Sequence, residues 1–171
     1  MICLGLKNNE LTTYNPVRMN WILGSPKEFK IYFLQGLSDS DAFVDFSSQR
    51  VGIITEPNTK LIKKILTALG VKSKPWLITK TKLWTLMISI NDAYNLPIFN
   101  PIIRSYRYQE VENIFRSKRI SGHWPPWLVD KVEENIKLGL KGTDLVRKIL
   151  EEDGIIIRTK NINIRAKKLK I

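Results

Sequence analysis

The chain has 171 residues, 43% of them hydrophobic, which is enough to bury a core and excludes wholesale disorder. Its 28 Lys and Arg against 16 Asp and Glu give a net charge of +12, a balance that favours a polyanionic partner. One cysteine, Cys3, and one histidine, His123, exclude an intrachain disulfide framework, a Cys/His zinc site and nucleases that need several histidines, so any metal must be a hard, oxygen-liganded one.

The apolar run Met1 to Leu6 breaks at Lys7 and is too short for a signal sequence. Later apolar stretches fall short of the roughly 20 residues that span a bilayer. The expectation is a soluble, cytoplasmic protein without membrane contact, in which residues 1–24 form an extension. Ser25 and Pro26 open a helix expected over 26–38, with Ser25 as N-cap and Phe29, Tyr32, Phe33, Leu34 and Leu37 as its apolar positions. Segments 42–46 and 51–55 read as a hairpin. Pro57 and Asn58 then open an amphipathic helix with Leu61, Ile62, Ile65, Leu66 and Leu69 at helical spacing, stopped by Gly70. A second hairpin is expected from 75–79 and 83–90, and helices from 91–96 and 106–115. This order predicts an α+β domain over 25–120 with an antiparallel sheet.

The cluster Ser121-Gly122-His123-Trp124-Pro125-Pro126-Trp127 cannot continue a helix and marks a boundary before a small all-α module, 121–171. Its helices are expected over 127–138, stopped by Gly139; over 144–153, capped by Thr143 and stopped by Gly154; and over 161–169. Three short helices with Gly-containing turns fit a helix-turn-helix module. Charge concentrates here, because residues 101–171 hold 16 basic and 9 acidic side chains, more than half of the net excess. Arg158, Lys160, Asn161, Asn163, Arg165, Lys167 and Lys168 would suit a major groove. By contrast, Lys60, Lys63 and Lys64 read as the solvated face of their helix.

The segment Phe33-Leu34-Gln35-Gly36-Leu37-Ser38-Asp39-Ser40-Asp41-Ala42-Phe43 resembles the signature of the LAGLIDADG homing endonuclease family, a helix ending in Asp-x-Asp before a strand. Leu34, Gly36, Leu37, Asp39 and Asp41 match at the family's spacing; Ala42 replaces its final glycine and Ser38 a usually apolar residue. Asn58 to Val71 is similar to the family's second helix. The spacing does not suit a calcium loop, since Val44 and Arg50 stand where glycine and glutamate are required.

That resemblance implies an αββαββα domain that hydrolyses double-stranded DNA with Mg²⁺. With one motif per chain it implies a homodimer, packed through Leu34, Gly36 and Leu37, in which two motif helices share the metal ions. Asp41 would be the catalytic metal ligand, the backbone carbonyl of Ser40 a weaker one, and Asp39 a structural cap. Further catalytic candidates near the metal are Gln49, Lys80, Lys82, Arg104 and Arg107, and Gln49, Arg50, Lys80 and Lys82 sit where hairpin ends would reach DNA. Two alternatives stand beside the endonuclease: a transcription regulator that binds DNA without cleaving it, and an RNA-binding maturase.

Overall fold

A computed structural model describes residues 19–56, 58–78, 83–120 and 122–169. Most of the expected N-terminal extension, 1–18, lies outside the described residues. Asn20–Gly24 form a 3₁₀ turn that buries Ile22 completely. Ser25 does not cap the next helix. Its Oγ donates to the Ile22 carbonyl at 2.6 Å and closes the turn before it.

Helix α1, Lys27–Asp41, follows Pro26, whose φ of −53° is already helical. It runs three residues past the expected end at 38 because its polar side chains find distant partners. Gln35 Nε2 donates to the Pro97 carbonyl at 2.7 Å, and Asp39 Oδ1 accepts the Asn100 N–H at 3.1 Å. The helix stops where Ala42 takes φ −101° and ψ 156°, extended backbone open to any L-residue, so alanine in place of glycine strains nothing.

Strands β1 (Ala42–Asp45), β2 (Arg50–Ile54), β3 (Lys74–Ile78) and β4 (Leu83–Ser89) form an antiparallel sheet in the order β1-β2-β4-β3. Alternation along each strand turns Val44, Val51, Ile53, Leu86 and Ile88 into the core. Helix α2, Thr59–Ala68, adds Leu61, Ile62, Ile65 and Leu66 to that core, each burial being worth about 1.5–3 kcal/mol. Gly70, at φ 79°, lets the chain leave α2, as its position foretold. Helix α3, Ile90–Asn95, is capped by Ser89, whose Oγ accepts the Asp92 N–H at 3.1 Å, and α4 spans Ser105–Arg116.

Beyond the Pro-Trp cluster come α5 (Pro126–Lys137), α6 (Gly142–Asp153) and α7 (Thr159–Lys168), each touching the other two. Thr143 is not a cap: α6 begins at Gly142 with Lys141 at the cap position, which places Thr143 inside the first turn. Gly139 and Gly154 end α5 and α6 at positive φ. The connection from α6 to α7 is five residues, 154–158, longer than the about three or four of a helix-turn-helix. Within it β6 (Ile155–Ile156) pairs in parallel with β5 (Lys118–Arg119). One hydrophobic core runs from Ile53 and Ile114 through Val132, Ile149 and Ile156 to Ile162, and Arg147 bridges to Glu110 at 3.1 Å. The described residues thus form a mixed α+β structure with one four-stranded antiparallel sheet and seven α-helices, none long and apolar enough to cross a membrane.

Candidate nucleic-acid interface

Asp41 closes α1 at the surface, and its side chain has no hydrogen bond or ion pair with any described residue. Asp39, two residues earlier, is committed to the Asn100 N–H, so the two carboxylates of the motif have separate tasks: one holds the loop before α4, the other is open. Ser40 is also exposed, its Oγ donating to the Leu37 carbonyl at 2.9 Å. Among the described residues no group of three or more His, Cys, Asp or Glu could enclose a metal. A single exposed carboxylate with hydroxyl and carbonyl oxygens nearby has the hard-donor chemistry of Mg²⁺, but it supplies only part of a coordination sphere.

Among the described residues, the other catalytic candidates, Gln49, Arg104 and Arg107, are not joined to Asp41. Arg107 is already paired with Glu110 at 2.9 Å and lies 5.1 Å over the Tyr106 ring. The Arg104 guanidinium reaches the Tyr106 hydroxyl, at 3.5 Å. Gln49 ends the β1–β2 turn at φ 55°, and Lys80 and Lys82 lie outside the described residues.

Of the three residues expected at a dimer interface, Leu34 is a correction. It is 1% exposed and belongs to the core, because the helix is rotated so that Phe29, Tyr32, Gly36 and Ser40 form the outward stripe. Leu37 is half-buried against the core. Tyr32 is 69% exposed, and Trp21 lies against Phe29 with ring centroids 5.4 Å apart. A Cβ on Gly36 would meet no described atom within 4 Å. Glycine inside a helix costs about 0.5–1 kcal/mol relative to alanine, and nothing described within this chain needs the space it leaves.

The outer face of the sheet is largely apolar. Phe43, Gly52 and Met87 lie in one cross-strand row, with Ile54, Thr85 and Trp76 in another. A Cβ on Gly52 would strike the Phe43 ring, so this glycine makes room for an aromatic lying across the strand. Charge on this face comes from Asp45, Arg50 and Lys74 among the described residues. Asp45 organises the β1–β2 turn: Oδ1 accepts from the Ser47 N–H (2.9 Å), the Ser47 hydroxyl (2.6 Å) and the Ser48 N–H (3.2 Å), and Oδ2 from the Ser48 hydroxyl (2.6 Å). Burial works to raise its pKa, but these serine hydrogen bonds outweigh it and hold the carboxyl below its ordinary value.

Helix α7 presents a different surface. Ile162 anchors it at 1% exposure, and the outward side chains are Lys160, Asn163, Ile164, Lys167 and Lys168, spaced three, four, seven and eight residues from the first. Arg158, exposed, precedes them, and the stripe contains no acid. On one side, a concavity of about 540 Å³ separates α7 from the β1–β2 turn and is lined by Ser47, Arg158, Thr159, Lys160, Asn163, Ile164 and Lys167. On the other, about 400 Å³ lies between α7 and the Pro-Trp cluster, lined by His123, Trp124, Asn161 and Arg165 among others. Arg165 is held within the protein, donating to Glu133 at 2.8 Å and lying 5.3 Å over the Trp124 ring. Arg165 is one of the residues expected at DNA, whereas Ser47, Thr159 and Ile164, which carry no such expectation, line the concavity beside α7.

No family model matches this chain, and no curated protein or solved structure matches it.

Proposed function

We propose that this protein binds double-stranded DNA in a sequence-specific manner, with α7 as a principal contact. The carrying observation is the stripe of Lys160, Asn163, Lys167 and Lys168 with Arg158, an outward helix face with four cations and no acid. Lys and Arg neutralise phosphates and release condensed counterions, and an amide such as Asn163 can pair with an adenine edge.

A finer reading joins this binding to Mg²⁺-dependent cleavage by a LAGLIDADG-like homodimer. It is supported by the unpaired Asp41 at the end of α1 and by the unfilled position at Gly36 on the outward stripe. A partner helix seated on Phe29, Tyr32 and Gly36 would bring a second Asp41 close by two-fold symmetry. Asp41 and the Ser40 carbonyl would hold Mg²⁺, which supplies an activated water and stabilises the leaving oxygen. A non-cleaving regulator is the competing reading, and the pairing of Arg107 with Glu110 favours it, because that cation is not free to serve Asp41.

Selection of bound sequences from a random duplex pool without divalent metal, followed by addition of Mg²⁺, tests both levels. The cleaving dimer predicts that wild type cuts selected sites and that Asp41→Asn binds them equally well without cutting. Specific binding with no cutting by either protein leaves the regulator. Preference for folded RNA over every duplex in competition rejects the DNA reading altogether.

A further inference from the structure

We propose that the groove between the β1–β2 turn and α7 holds a phosphodiester backbone, clamping the sheet-bearing part and the tail helix onto the same DNA duplex. This rests on the DNA-binding reading and adds to it a place and a polarity. The groove's walls come from positions more than 100 residues apart: Ser47 on one side, and Arg158, Lys160, Asn163 and Lys167 on the other. Three cations line its helical wall, and no acidic side chain lines it among the described residues. Lysine is a compact point charge on a flexible stem, which suits a phosphate better than a base edge.

The opposite wall is set in advance. All four hydrogen bonds of the Asp45 carboxylate close on Ser47 and Ser48, so the acid nearest the groove in sequence is turned into its own loop and fixes the turn. A wall that is already ordered loses less entropy when a ligand arrives. Thr159 also belongs to the groove lining, its Oγ1 shielded from solvent and without a hydrogen-bond partner among the described residues. Ile164 lines the groove's rim as well as the outward stripe, an apolar surface suited to a sugar. The groove is continuous with that stripe, so a strand of DNA in it would continue along α7.

The test is the salt dependence of duplex binding, using DNA sites selected by the wild type. Lys160→Ser/Lys167→Ser should lower the slope of log K against log salt by nearly two, at about 0.9 for each phosphate contact in B-DNA. Lys63→Ser/Lys64→Ser, which removes the same charge from the exposed face of α2, should leave the slope unchanged. Ser47→Glu should weaken binding about tenfold by setting a like charge against the backbone. Ser47→Ala removes the same hydroxyl without adding charge and should stay within about twofold, which separates repulsion from damage to the turn. An unchanged slope in the Lys160/Lys167 variant overturns the groove, as does equal loss in Ser47→Glu and Ser47→Ala. Wild type that fails to bind any duplex at low salt overturns the DNA-binding reading itself, and variants impaired only toward folded RNA assign the groove to the other nucleic acid.

Discussion

The outer face of the sheet and the outer face of α7 both turn away from the main hydrophobic core, yet they are built from opposite chemistry, with Met87 and Thr85 buried on the first and the α7 stripe exposed on the second. On the sheet, Phe43, Ile54, Trp76 and Met87 dominate, and the described charges are Asp45, Arg50 and Lys74. On α7, Lys160, Lys167 and Lys168, with Arg158 just before them, stand without an acid among them. The net charge of +12 is therefore a poor guide to where a polyanion binds unless it is mapped onto faces. A strand alternates its faces every residue, so one lysine serves one face only. A helix gathers side chains three and four apart, and a modest number of cations becomes a line.

The largest effect that could break this comparison is on affinity. Arg158→Ser/Lys168→Ser should weaken duplex binding roughly a hundredfold, and Arg50→Ser/Lys74→Ser only about threefold, when both are measured by titration at one salt concentration. Equal losses would mean that the sheet carries its share of the contact despite its apolar rows. The contrast also bears on the LAGLIDADG-like proposal, whose expected DNA contacts include Gln49, Arg50, Lys80 and Lys82 at the hairpin ends.

A smaller effect sharpens the comparison within α7 itself. Arg165 shares the helix with the stripe but points to Glu133 and Trp124, and its side chain is 30% exposed. A partly exposed ion pair is worth about 0–1 kcal/mol and a cation–π contact about 0.5–1 kcal/mol. Arg165→Met should accordingly lower stability by about 1 kcal/mol in urea unfolding, while changing duplex affinity far less than the Arg158/Lys168 variant does. The reverse pattern, weak binding at full stability, would return Arg165 to the contact surface.

What the sequence showed of the fold follows from how local each signal is. The hairpins and α2 were legible because their apolar residues cluster within a few neighbouring positions between turn-forming residues, and Gly70, Gly139 and Gly154 mark turns by their own backbone freedom. Periodicity stopped α1 at 38, because Gln35 and Asp39 are held by Pro97 and Asn100, about sixty positions away, whereas the motif's helix ending in Asp-x-Asp put the end at Asp41, where it lies. Leu34 was misplaced for a related reason: a motif gives spacing along a helix, whereas the rotation that buries Leu34 and exposes Tyr32 is set by the sheet beneath. The pairing of Lys118–Arg119 with Ile155–Ile156 is two residues long, too short for any periodicity to announce.

The candidate site divides in the same way. The sequence grouped Lys160, Asn161, Asn163, Arg165, Lys167 and Lys168 together, and only packing shows that Arg165 is occupied by Glu133, 32 positions earlier. Ser47 carried no signal at all, since a serine in a turn is ordinary and its place opposite α7 depends on how the tail docks. Asp41 is the converse case. Its motif was legible, and the structure supplies its exposure and its lack of a partner among the described residues.

The smallest effect concerns how firmly the turn beside α7 is set. Asp45 is held below its ordinary pKa in the folded protein, so it binds a proton less readily there than in the unfolded chain. Its contribution to stability is therefore complete above the unfolded carboxylate value and is lost as pH falls through the lower folded value. Asp45→Asn keeps a carbonyl acceptor at the same place but loses the charge that strengthens the serine hydrogen bonds. Urea midpoints of the variant should lie slightly below wild type at neutral pH, and the gap should close as the medium is acidified past the carboxylate range. A gap that persists at low pH would mean that the amide disrupts the turn by its shape, and the rigidity of the Ser47 wall would then depend on more than the charge of Asp45.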